Sequence, residues 1–303
     1  MVFAKKLFFF IVRLLFIVLG IICICCLPKL LLTESQKGMT GVDIKTSPLL
    51  QLNWDQYIES IKNVIHSLVH LSQVTYELNG IDRELFPYLL EPYLYTLTIL
   101  TASLFIAIVL STFLTNFTFY FSKQVQSLIL KVLNVLETLP DLFFVISVQL
   151  IIILIYKNTN WLVIIPFSTI QGKTYFLPII TLSILPTIYL YRMNLLNYKT
   201  ELTKDYIDFA IAKGLKPLYI LYRHVFINVI ISTFYNAKAI FIFMISNMIV
   251  LEFLFNSFGL LKFLINHQTS EITSIGILLL MIPFYLSFEI SRWILSGRRN
   301  TYV

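Results

Sequence analysis

DYIDFAIAKGLKPLYILYRH, residues 205–224, lies between two long apolar runs and is charged, broken by glycine and helical in pattern on both sides of the break. In Asp205 to Ala212, Ile207, Ala210 and Ile211 can share one side of a helix while Asp205, Asp208 and Lys213 stay in water. Gly214 ends that helix, since a residue without Cβ accepts positive φ at a helix C-terminus. Pro217 suits the first turn of a second helix, where its missing N–H is not needed. That helix runs through Tyr219, Tyr222 and Arg223 into the next apolar run. A helix, a sharp turn and a helix at a membrane face make either a rigid knob offered to a partner or a solvated connecting loop rich in positive charge. The stretch pairs no nucleophile with a base, so catalysis is not its business.

The flanking sequence sets the surroundings. Of 303 residues, 58% are hydrophobic and 13% charged, against about a quarter charged in soluble domains. Six runs reach the roughly 20 residues that cross a bilayer. They are expected near Leu7 to Leu27, Tyr93 to Thr115, Val132 to Ile155, Leu177 to Leu196, Val229 to Phe253 and Ile272 to Leu295. Pro140, Pro186 and Pro283 fall in or beside them, as membrane helices tolerate. The net charge of +7 does not point to nucleic acid, because the basic residues flank the apolar runs.

Fourteen Lys and Arg lie on the flanks that include the chain start, residues 201–224 and the chain end; eight lie on the other side, and Lys238 within the fifth run completes the 23. The richer side is expected in the cytoplasm with both termini. Residues 28–92 then form an external insertion, in which NWDQYIESIKNVIHSLVHL carries Ile58, Ile61, Ile65, Leu68 and Val69 near helical spacing, followed by a short polar connection. Such a helix either packs on the membrane domain or offers a docking surface to an external partner. The first run looks like an uncleaved anchor, with no small-x-small cleavage site after it. Its Cys23, Cys25 and Cys26 read as lipid-facing or packing residues, a metal site being the weaker alternative. His66 and His70, four apart, could share a metal but lack a carboxylate partner.

Charged residues at membrane depth invite function. Glu252 reads as an anchor for the turn after the fifth span or as a pathway residue, Lys238 as a cation able to snorkel, Asp141 as a cap for the third span or, less simply, a substrate contact, and Arg192 as an interfacial anchor.

The stretch 205–230 resembles the signature of the dipeptide and oligopeptide branch of ABC importer permeases, D-Y-[IV]-x-x-A-x-A-K-G-L-x-x-x-x-[IV]-x-x-[RK]-H-x-x-x-N. Asp205, Tyr206, Ile207, Ala210, Ala212, Lys213, Gly214, Leu215, Arg223, His224 and Asn228 fall in register. LPIITLSILPTIYLYRMNLL, ETLPDLFFVI and LEFLFNSFGL are similar to further segments of that family, the last through Glu252, Phe255 and Gly259. Phe258 and Leu261 stand where the family has proline and glycine, so an altered turn is expected there.

The resemblance implies an all-α, six-helix membrane protein with an external helical insertion between helices 1 and 2 and a cytoplasmic coupling hairpin between helices 4 and 5. Its parts would be an anchor at 1–27, the insertion at 28–92 and a five-helix core at 93–303 with the hairpin at 201–224. It implies a permease subunit of a bacterial inner-membrane importer for peptides or another small nutrient such as nickel. Asp205, Tyr206, Ala210, Ala212, Lys213, Gly214 and Leu215 would meet an ATPase, and Glu252, Phe255 and Gly259 would line or gate the pathway. The partners implied are a second permease, two cytoplasmic ATPases, an external solute-binding protein and membrane lipid. No cofactor, metal, nucleic acid or catalytic residue is implied, and ATP hydrolysis falls to the partners, since the chain has no G-x-x-x-x-G-K-[ST] to hold phosphates. An ion-coupled secondary transporter or a receptor without an ATPase is the alternative.

Overall fold

The computed structural model describes residues 2–31, 52–78, 80–160, 165, 167–168 and 172–299. Six helices among them are long and apolar enough to cross a membrane. The chain divides into two compact units, Met1–Tyr93 with Phe263–Phe284, and Leu94–Lys262 with Tyr285–Val303.

In the first unit, α1 (Val2–Leu31) carries the first span and α2 (Trp54–Val69) packs against it. The Asn53 N–H donates to Leu30 O at 3.1 Å, and the Tyr57 hydroxyl donates to Cys23 O at 3.2 Å. Ile22, Cys26, Val64 and Leu278 form the core, flanked by Tyr57, Ile61 and Leu68. The amphipathic helix expected after Asn53 is present, but the side it packs is Tyr57, Ile61, Val64 and Leu68, while Ile58, Ile65 and Val69, expected with Ile61 and Leu68, are exposed. The connection after it differs from expectation: it is an antiparallel hairpin of β1 (Thr75–Leu78) and β2 (Ile81–Glu84), turning at Gly80 with φ +77°. Buried Tyr76 holds the hairpin down by stacking on Tyr88 at 5.2 Å and meeting Phe263 edge-on at 5.5 Å.

The second unit is built on α3 (Leu90–Thr118), α4 (Lys123–Glu137), α5 (Asp141–Thr159), α6 (Phe176–Glu201) and α9 (Phe226–Leu254). Hydroxyls and amides join the helices inside an apolar packing. Tyr198 donates to Asn116 Oδ1 at 2.6 Å, Thr233 to Asn194 Oδ1 at 2.6 Å, and Ser103 to Ile179 O at 2.9 Å. The third span corrects the sequence expectation. It begins at Asp141 and not near Val132, because residues 132–137 belong to α4, an amphipathic helix that ends at Glu137 before Pro140. Asp141 lies in the first turn of α5, with Pro140 at the cap position, so its charge meets the helix dipole and no side-chain cap forms. Arg192 is more than an interfacial anchor, since its guanidinium pairs with Glu137 of α4 at 2.5 Å.

The fifth span is longer than expected. A short α8 (Pro217–Ile220), a π turn over Leu221–Val225 and α9 form one helical run, Pro217–Leu254. After it come α10 (Leu260–Asn266) and α11 (Ser270–Arg299).

Candidate functional site

The hairpin is α7 (Asp205–Ala212), a turn and α8. Asp205 and Asp208 sit in the first turn of α7, where negative charge is favoured. At the other end the Gly214 N–H donates to Ile211 O at 2.8 Å and the Leu215 N–H to Ala210 O at 3.3 Å. Those two bonds satisfy carbonyls that the helix end would otherwise orphan. They require Gly214 to turn left-handed, and its φ is +76°. Pro217 takes the first turn of α8 with Lys216 extended before it, as its ring demands.

The hairpin is held from beneath. Ile207 and Ala210 are buried in a cluster with Tyr198, Ile220, Leu221, Val225 and Val229. The Tyr206 hydroxyl donates to Glu201 Oε2 at 2.8 Å, and the Asn228 amide reaches both groups at 3.4 Å. Lys204 pairs with the other Glu201 oxygen. Burial and the bond to Glu201 push the Tyr206 phenol up to about 12, so it stays protonated and donating at neutral pH. Glu201 was not singled out in the sequence; its position at the last turn of a span, five residues before Tyr206, is the signal that could have found it.

The top of the hairpin is open. Ile211, which the helical wheel places beside Ile207, is 57% exposed, and Phe209 is 62% exposed with the Lys213 ammonium 4.3 Å above its ring. Ile211 lies at the rim because a helix turns about 100° per residue, which centres the packed side between Ile207 and Ala210. Leu218 and Tyr219 are 56% and 52% exposed, while Asp205, Ala212, Lys213, Gly214 and Leu215 are exposed too.

Glu252, Phe255 and Gly259 meet at a second place, the turn between α9 and α10. All three are buried. Glu252 Oε1 accepts from the Thr96 hydroxyl at 2.5 Å and Oε2 from the Lys262 N–H at 2.7 Å, while Thr96 Oγ accepts from the Leu260 N–H at 2.8 Å. The Ser257 N–H returns to Glu252 O at 2.9 Å, and Asn256 takes the left-handed turn at φ +47°. Gly259 lies so close that a Cβ there would fall 2.1 Å from the carboxylate. Glu252 thus anchors the following turn by hydrogen bonds. His66 and His70 are stacked at 4.5 Å, and among the described residues no group of three or more His, Cys, Asp or Glu could hold a metal.

No curated protein matches the chain. The family model described as binding-protein-dependent transport system inner membrane component matches residues 104–300. That match runs from within the second span to the end of the sixth, with the hairpin inside it. The chain therefore belongs to the family of binding-protein-dependent transport system inner membrane components, the multi-pass permease subunits of ABC importers, which work with ATPases and a binding protein and are not themselves ATPases.

Proposed function

We propose that the α7–α8 hairpin is the element through which this permease receives force from a cytoplasmic ATPase, and that the importer carries peptides or a similar small nutrient such as nickel. The observation that carries the reading is the exposure of Phe209, Ile211, Leu218 and Tyr219 on a hairpin whose other face is tightly packed. Large apolar side chains clustered on a rigid, otherwise polar projection are suited to filling a cleft in a partner. α8 continues without a break into the fifth span, so a push on the hairpin is delivered to a membrane helix rather than lost in a loop. The assembly is a second permease, two ATPases and an external binding protein. The hairpin and both termini face the cytoplasm on the basic-residue asymmetry. Asp205, Ala212, Lys213, Gly214 and Leu215 form the exposed part of the coupling element, with Tyr206 and Ala210 holding it from beneath, and the bonded turn of Glu252, Phe255 and Gly259 is a latch at the far end of the fifth span. The domain reading follows: an anchor at 1–27, an insertion at 28–92 and a permease core at 93–303.

Gly214→Trp tests the coupling role. No atom lies within 4 Å of the position a Cβ would take there, so the cost within the chain is that of a left-handed backbone, about 1–2 kcal/mol, while the indole projects into the seat. Membrane levels by blot stay near wild type, uptake is lost and ATPase recovery in mild detergent falls. Normal uptake with normal ATPase recovery would overturn the coupling role.

A further inference from the structure

Lys238 lies fourteen residues after His224 and fourteen before Glu252 in the continuous run Pro217–Leu254, about 21 Å from each along the axis. That places its backbone near the middle of the span. The side chain is exposed, its Nζ lies 5.4 Å from the centre of the Tyr285 ring, and among the described residues no carboxylate lies within ion-pair distance of it. An ammonium at this depth is costly against lipid tails, and a single aromatic face replaces only part of its hydration. Two polar groups share that face, the Tyr235 hydroxyl and Ser246. Tyr235 is exposed one turn toward the hairpin, and Ile242 and Ser246 are exposed one and two turns beyond. The exposed face of α5 is apolar, with Phe143, Ile146, Leu150 and Ile153 following one another at helical spacing. The face of α9 around Lys238 is mixed, its ammonium, phenol and hydroxyl standing among exposed Phe234, Ala239 and Ile242.

We infer that Lys238 lines the water-filled solute path and that its ammonium recognises a carboxylate or other anionic group on the passing solute. The inference rests on the permease reading and adds to it the charge class of the substrate. Water solvates the ammonium when the path is empty, and an anionic solute gains a Coulombic partner in a channel where screening is weak.

The test reads local potential and not transport. Ile242→Cys, one turn from Lys238, is placed in a chain whose Cys23, Cys25 and Cys26 are replaced by serine, and the transporter is assembled with its partners in native membranes. Reaction rates with an anionic and a cationic methanethiosulfonate of similar size are compared, in resting membranes and with ATP supplied. The thiol reacts, and the anionic reagent is favoured over its ratio with a free thiol by on the order of tenfold. Lys238→Gln abolishes the preference and Lys238→Arg keeps it. A thiol that reacts with neither reagent in both conditions, which is the result for a face covered by lipid or by the second permease, overturns the proposal. So does a ratio that Lys238→Gln leaves unchanged. ATPase recovery from the same membranes reports on the permease reading separately.

Discussion

Gly259 and Glu252 show how one missing side chain can hold a turn. The carboxylate is fully buried and is tied on both oxygens, by Thr96 and by the Lys262 N–H, so it cannot move aside without breaking a buried bond. A methyl at position 259 would sit 2.1 Å from it. Gly259→Ala should therefore destabilise the protein by about 1–3 kcal/mol, the usual range for overpacking, read as a lower melting temperature in detergent. Gly20→Ala is the control, because nothing lies within 4 Å of that position and alanine favours helix; it should be neutral or slightly stabilising. Equal melting of the two variants would mean that the turn does not depend on the close approach. Glu252 was legible in the sequence as an anchor near the end of a span. The need for glycine at 259 was not, since it comes from a carboxylate seven residues earlier in the chain that the turn folds back onto it.

At the scale of elements, the α7–α8 hairpin was readable because every signal in it is local. Gly214 marks a stop and Pro217 a restart, and the structure puts each where these rules place them. The same locality makes a prediction. Gly214→Ala forces a Cβ into the left-handed region and should weaken the end of α7 by about 1 kcal/mol, seen as roughly fivefold faster hydrogen exchange of its last amides. Gly214→Asn should exchange at a rate between alanine and wild type, since asparagine tolerates that region better. No difference between alanine and wild type would contradict the capped geometry. Two elements were less legible. α4 is hard to tell from the third span because Leu128, Leu130, Val132, Leu133, Val135 and Leu136 run on toward the apolar residues of α5, and the short break between Glu137 and Asp141 is all that divides them. The β1–β2 hairpin is hard to see in the sequence although Asn79-Gly80 is a strong turn dipeptide, because Glu77, Asp82, Arg83 and Glu84 give it a polar colour and its apolar contact, Tyr76 on Phe263, lies far away in sequence.

At the scale of the whole molecule, composition sufficed for six membrane helices, because spanning hydrocarbon demands length and apolarity and little else. Polar bonds between distant helices, such as Tyr198 to Asn116 and Arg192 to Glu137, could not be read from the sequence, since a lone polar residue in an apolar run does not name its partner. The central claim is that the exposed apolar top of α7 sits in the cytoplasm against an ATPase. A photoreactive benzoylphenylalanine in place of Ile211, which is 57% exposed, measures this in intact cells without disturbing the buried face. Irradiation followed by mass spectrometry of the crosslinked band should identify an ATP-binding subunit, with the yield changing when ATP is depleted. A crosslink to an extracytoplasmic protein or to lipid alone would contradict the account.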